Sequence, residues 1–339
     1  MNVIFAEEQN EHSPKLMLSS GASEANPEVP ERAERLLAAA ISSGLTLERP
    51  PDYGLDPVSA VHSAEYLHFL QNIHIRWKKI PDASEDVIPN IHPDRRDCGY
   101  PASAVGQVGY HVFDGAAPIT ADTWGSARWS ANSAVHAALD VIGGADTSYA
   151  LARPPGHHAT KDQAGGFCYL NNTAIAAQVL RSQHPRVAIL DVDVHHGNGT
   201  QNIFYDRSDV LTVSMHADPM RFYPFFWGYP NERGEGSGLG SNLNLALPRG
   251  TGDDNYLKAL DGAIGRIEAF SPGALVVALG LDAHEHDPFR GMTITTEGFR
   301  RIASRIARLG LPTVIVQEGG YLTDHLGRNL SAFLEGASA

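Results

Sequence analysis

The chain has 339 residues, 42% hydrophobic and 19% charged, a composition that builds a large buried core and excludes a disordered or fibrous protein. Its 39 Asp and Glu outweigh 26 Lys and Arg for a formal charge of −13, which excludes a general binder of nucleic-acid backbone and is compatible with cationic ligands. Only two cysteines, Cys98 and Cys168, no signal-peptide pattern and no stretch near the ~18 apolar residues of a membrane span predict a cytoplasmic protein with neither disulfide framework nor membrane partner.

Length alone allows one domain or two. Short β-branched runs at Val3–Phe5, Ser148–Leu151, Val187–Val194, Val210–Met215, Leu275–Leu279 and Thr313–Val316 read as strands. Between them the spacing predicts helices at Glu31–Ala40, at Asn171–Leu180 after capping-type residues, and at Thr296–Leu309 between Thr295 and Gly310. Strands alternating with helices imply an α/β fold whose parallel sheet is covered on both faces. From about Pro81 to Pro118 periodicity fades, and a long loop that shapes a site or an oligomer contact is expected.

Several of these strands end in polar motifs. Arg153-Pro154-Pro155-Gly156-His157-His158 presents two adjacent imidazoles, whose pKa suits proton transfer near neutrality. Gly165-Gly166-Phe167 allows close backbone approach, with Phe167 able to wall a channel. In Leu190-Asp191-Val192-Asp193-Val194-His195, strand alternation places Asp191, Asp193 and His195 on one side, where apolar surroundings penalise them unless they are paired or metal-bound. Asp282 follows the strand ending at Leu279 and adds a carboxylate at the same sheet edge; two carboxylates and one imidazole suit a catalytic zinc, although harder metals also accept such donors. His284 and His286 are expected outside the ligand set. In Glu318-Gly319-Gly320-Tyr321 a phenol follows another strand, placed to donate to an oxyanion.

Together RPPGHH, GGFCYLNN, LDVDVHHGNGTQNIFY, VSMH, LGLDAHEHDP and EGGY resemble the histone deacetylase and acetylpolyamine amidohydrolase superfamily, in the family's order and from the first strand to about Gly320. The resemblance implies the arginase-like fold, a central parallel sheet flanked by helices in a single domain spanning 1–339, and hydrolysis of an acyl amide. It implies zinc on Asp193, His195 and Asp282, and His158 as main acid/base. His157 is the companion histidine bonded by Asp191, and Tyr321 polarises the carbonyl. Asn198 stands where some members carry Asp, which makes His158 less basic. Gly166, Phe167 and Tyr223 fall on the acyl tunnel and Arg32 near its floor. A structural K⁺ is implied at Asp191, Asp193, His195, Ser214 and Met215.

The 81–118 segment and the HHGNG spelling look most like the bacterial acetylpolyamine branch, which implies a homodimer through that segment and a small N-acylated amine as substrate. Met17, Val105 and Ala116 stand where some members carry acidic residues at the tunnel mouth, with Asp114 a nearby substitute. Hydrolysis of a non-acetyl or xenobiotic amide, a dimanganese ureohydrolase-like chemistry and a non-catalytic acyl binder remain as alternatives.

Overall fold

The computed structural model describes residues 1–338. Among these residues ten strands occur: β1 (Asn2–Ile4), a hairpin of β2 (Leu16–Ser19) and β3 (Ala22–Ala25), then β4 (Thr46–Glu48), β5 (Thr147–Ala150), β6 (Val187–Asp191), β7 (Val210–Ala217), β8 (Asn242–Leu247), β9 (Ala274–Leu279) and β10 (Thr313–Gln317). The helices are α1 (Pro30–Ser42), α2 (Asp56–Ser59), α3 (Ala64–Trp77), α4 (Ala104–His111), α5 (Thr123–Ile142), α6 (Asn172–Leu180), α7 (Asn198–Phe204), α8 (Asp253–Phe270), α9 (Thr296–Ala307) and α10 (Leu326–Ala337).

Eight strands form one parallel sheet in the order β4-β1-β5-β10-β9-β6-β7-β8. The central strands β6, β7 and β9 are buried at every position because both faces are covered. Along β6, Val187 and Ile189 join the core under α3, α5 and α6, while Ala188 and Leu190 join the core under α1, α8, α9 and α10. β6 and β9 are neighbours, yet the chain leaves β6 toward β7 and leaves β9 toward β10. Departing in opposite directions, the two connections open a crevice beyond the carboxyl ends of the strands, where open parallel sheets bind ligands.

The three predicted helices form, two of them with side-chain caps: Asn171 accepts from the Ala174 N–H and Thr295 from the Gly298 N–H. The expected strand Val187–Val194 stops at Asp191. β8 escaped prediction because asparagines interrupt its leucines; inside, Asn242 and Asn244 both donate to Gln201 Oε1 at 2.9 and 2.8 Å. The 81–118 segment is not structureless. It contains α4, capped by Ser103, and pairs Val87 with Ile119. Gly106 and Gly109 weaken the helical signal in the sequence, but Gly109 is needed: a Cβ there would lie 1.8 Å from the Ile91 carbonyl oxygen, so its absence lets the preceding loop pack on the helix.

Candidate functional site

Four strand ends meet at the crevice. After β6 the carboxylates replace the ladder: Asp191 Oδ1 accepts the Asp193 N–H (3.1 Å) and Asp193 Oδ1 accepts the His195 N–H (2.8 Å). Asp282, just past β9, accepts the Val194 N–H on Oδ1 (3.0 Å). These bonds aim the side chains so that His195 Nδ1 lies 3.1 Å from Asp193 Oδ1 and 3.2 Å from Asp282 Oδ2.

The three residues fit a metal ion. Their ligand atoms lie within 4.8 Å of one another and all three are buried. Two buried carboxylates repel each other unless a cation lies between them: burial, and then that repulsion, push Asp282 up, while the His157 and His195 charges hold Asp193 down against its own burial. The backbone is cut away around them. A Cβ on Gly319 would sit 2.1 Å from Asp282 Oδ2, and one on Gly280 2.3 Å from Asp193 Oδ2.

His157 and His158, beyond β5, have been given opposite characters. Burial works against charge on His157, but Asp193 and Asp191, the latter accepting from Nδ1 at 2.9 Å, raise it to about 10. His158 is driven well below the ordinary histidine value by burial and by the His157 and His195 charges, and its Nδ1 lies 2.7 Å from Asn198 Oδ1. At neutral pH one ring is therefore a cation and the other a base. Sequence reasoning missed what holds this turn. Glu318 Oε2 accepts the Gly156 and His157 N–H groups (2.6 and 3.0 Å), and Oε1 accepts the Thr173 hydroxyl (2.6 Å). Its place beside Gly319-Gly320-Tyr321 was the available signal.

Tyr321 projects from the turn after β10 and its N–H is held by Asp287 Oδ2 at 3.1 Å. Burial raises its pKa, so the phenol keeps its proton. Arg32, expected near the tunnel floor, is close to it without being part of the cavity lining. It lies behind Tyr321, its guanidinium carbon 4.7 Å from the ring centroid, donating to the Gly320 (2.6 Å) and Glu318 (2.8 Å) carbonyls. Glu28, unmarked by any motif, is fully buried between Arg32 (2.6 Å) and Arg153 (3.0 Å). One carboxylate thereby anchors both the turn carrying Tyr321 and the turn carrying the histidines.

The groups open into a cavity of about 600 Å³. Gly166 and Phe167 both adopt left-handed backbone (φ 54° and 67°), which turns the Phe167 ring into the wall; a Cβ on Gly166 would strike the His158 ring at 2.4 Å. Tyr223 stands edge-on to His158 with centroids 4.9 Å apart and donates to Asp114 Oδ2 at 2.6 Å. Phe222 stacks on His195 at 5.0 Å, and Phe289 packs on Tyr321; neither was anticipated. Met17 and Ala116 line the cavity, but Val105 belongs to α4 and packs into the core instead. Asp114 is half-buried on the cavity wall and accepts from Tyr223, Gly166 and Ala116, which fix its place there. His284 and His286 turn away toward His325. Ser214 pairs in register with Asp191 and bonds His216, below the site.

Residues 26–337 match the histone deacetylase domain, and the chain belongs to that family, whose members are metal-dependent; it is an amidohydrolase acting on bonds other than peptide bonds. It is 46% identical over 340 residues to the acetylpolyamine amidohydrolase of Burkholderia pseudomallei, covering 100% of this chain and 99% of the relative. Acetylpolyamine amidohydrolase 1 of Pseudomonas aeruginosa is 44% identical (98% and 97% covered), and the acetylpolyamine amidohydrolase of Mycoplana ramosa 38% (100% of both). The crystal structure of the Burkholderia pseudomallei acetylpolyamine aminohydrolase superposes with a TM-score of 0.98, covering 100% of this chain and 99% of that one.

Proposed function

We propose that the protein is a zinc-dependent deacetylase of N-acetylated small amines, acetylpolyamines foremost, working in the cytoplasm with residues 1–339 as one catalytic unit. The observation that carries this reading is the convergence, on one cavity, of the Asp193-His195-Asp282 set with a neutral imidazole, a charged imidazole and a buried phenol. The full-length relatives named for acetylpolyamines support the substrate class.

Asp193, His195 and Asp282 would hold the zinc, which when bound supplies Lewis acidity and lowers the pKa of water. A single ion fits better than a dimanganese pair, because Asp191 is committed to His157 and Asp287 to the Tyr321 backbone. His158, with Nδ1 turned to Asn198, takes the proton from the attacking water on Nε2. Tyr321 donates its O–H to the carbonyl oxygen as that atom gains charge, and the His157 cation favours the same charge. When the C–N bond breaks, His158 returns the proton to the amine nitrogen, leaving acetate and a free amine. Gly166, Phe167 and Tyr223 wall the path of the acylated chain, and Arg32 holds the Tyr321 turn from behind. K⁺ would sit among Asp191, Asp193, His195, Ser214 and Met215, and residues 81–118, with Ile91 and Tyr100 exposed, would form a homodimer contact that light scattering can test.

A second reading, hydrolysis of a bulkier or aromatic amide, is favoured by the aromatic mouth of Phe225, Phe226 and Trp227. Turnover of acetylputrescine, acetylspermine, an acetyl-lysine peptide and an anilide separates them: preference for the first two supports the polyamine reading, and preference for the anilide replaces it. Tyr321→Phe is expected to lower kcat by at least ~10²-fold with zinc retained; near-normal turnover refutes its role.

A further inference from the structure

Away from the cavity, a second group of side chains converges as metal ligands do. Glu48 on β4 and His136 and Asp140, one helical turn apart on α5, offer ligand atoms all within 4.8 Å of one another. His136 Nε2 lies 3.6 Å from Glu48 Oε2 and 3.8 Å from Asp140 Oδ1. Ligands placed tetrahedrally at about 2.1 Å from a zinc ion are about 3.4 Å apart, and both His136 distances are within a few tenths of an ångström of that spacing. The donors, two carboxylates and an imidazole, are those of the Asp193-His195-Asp282 set.

Two further features separate this group from a chance meeting of surface charges. Each ligand is oriented from outside: Tyr53 Oη lies 2.6 Å from His136 Nδ1, Ser148 donates to Asp140 Oδ2 (2.9 Å) and Asn2 to Glu48 Oε2 (2.8 Å). In the tautomer that donates Nδ1–H to the phenol oxygen, Nε2 turns its lone pair to the carboxylates, the arrangement that outer partners impose on metal-binding histidines. Second, the nearby carboxylates Glu8 and Asp52 take Arg49 and Arg128, whereas among the described residues no lysine or arginine nitrogen lies within 4.0 Å of Glu48 or Asp140. Two negative charges are thus left facing one imidazole, with Glu48 47% exposed and open to ions from solution.

We propose that Glu48, His136 and Asp140 form a second divalent-metal site, suited by its imidazole to zinc rather than to calcium or magnesium. Its place in the fold assigns it a structural task. β4 is a three-residue strand at the sheet edge, each residue of it exposed, and it is hydrogen-bonded to β1 alone. An ion bridging Glu48 to α5 fastens that edge to the helix behind it.

The test is zinc content after equilibrium dialysis against Zn²⁺, for the full chain and for its His136→Ala and Glu48→Gln variants. Each variant is expected to hold one zinc fewer than the parent, whatever the catalytic centre holds, with its rate of amide hydrolysis unchanged. Zinc is also expected to slow amide hydrogen exchange at Thr46–Glu48 in the parent and not in His136→Ala. Equal zinc in parent and variants, or exchange at those residues indifferent to zinc, overturns the site.

Discussion

Replacing Gly319 with alanine tests the metal cradle without touching a ligand. The added Cβ would lie 2.1 Å from Asp282 Oδ2 and 2.6 Å from Asp193 Oδ2, against a floor of 3.0 Å for real Cβ contacts, so the closer oxygen must retreat by 0.9 Å. Neither carboxylate is free to do so. Asp193 Oδ2 accepts the Gly319 N–H at 2.8 Å, Asp193 Oδ1 the His195 N–H, and Asp282 Oδ1 the Val194 N–H. Ligand distances in working metal sites hold to within about 0.2 Å, and a misplacement of about 1 Å near reacting groups costs ~10²-fold. Gly319→Ala is therefore expected to lose bound metal on dialysis and to drop kcat/KM by ~10²-fold, about 2.7 kcal/mol of transition-state stabilisation, with unchanged far-UV circular dichroism. Gly262→Ala serves as control: Gly262 is exposed on α8 with nothing within 4 Å of its added Cβ, and the change should stabilise by ~0.5–1 kcal/mol. Parental metal content and parental turnover in Gly319→Ala would refute the cradle.

Glu318→Ala strands three buried donors, at ~1–3 kcal/mol each, whereas Glu318→Gln keeps an acceptor; urea unfolding should show the alanine variant losing several kcal/mol and the glutamine variant far less. Asn198→Asp puts a carboxylate on His158, raising its pKa, so the acidic limb of the pH-kcat/KM profile should move to higher pH; an unmoved limb argues against His158 as the base. Burial lowers His62 to about 4, with the lysine and threonine backbones at 161 and 160 opposing it. Because the unfolded chain takes up that proton first, the stability present above pH 6.5 is lost as pH falls from 6.5 through about 4, by up to ~3 kcal/mol. Protonation also removes the acceptor of the Asn171 N–H (2.9 Å). His62→Gln should flatten the dependence of Tm on pH between 7 and 4, and an unchanged slope assigns the loss elsewhere.

Much of the site could be read in the residues because its ligands sit at strand ends. A β-branched run followed by Asp, His or Gly marks both the end of a parallel strand and the edge where ligands bind, so Asp193, His195, Asp282, His157, His158 and Tyr321 were all visible. Their companions were not. Glu28 and Phe289 lie in no periodic pattern, Asp287 sits in the LGLDAHEHDP motif, which gave it no role, and their value depends on partners far along the chain, as Glu28 does on Arg153. The strand limit also needed the structure: alternation predicted strand to Val194, but Asp191 and Asp193 take over the backbone N–H groups and end the ladder at Asp191.

By itself, then, the sequence determined the alternation of strands and helices, the apolar cores on both faces and the identity of the chemically active side chains, because these depend on local periodicity and residue type. Only tertiary structure decided what those side chains become. His157 and His158 are neighbours of identical chemistry, yet one is raised by Asp191 and Asp193 and the other lowered by burial and the adjacent charge. Arg32, which the resemblance placed near the tunnel floor, is fixed as a brace behind Tyr321 because Glu28 and the Gly320 and Glu318 carbonyls claim its guanidinium. Charge state and orientation are set by which groups share a low-dielectric space, and that is settled by long-range packing.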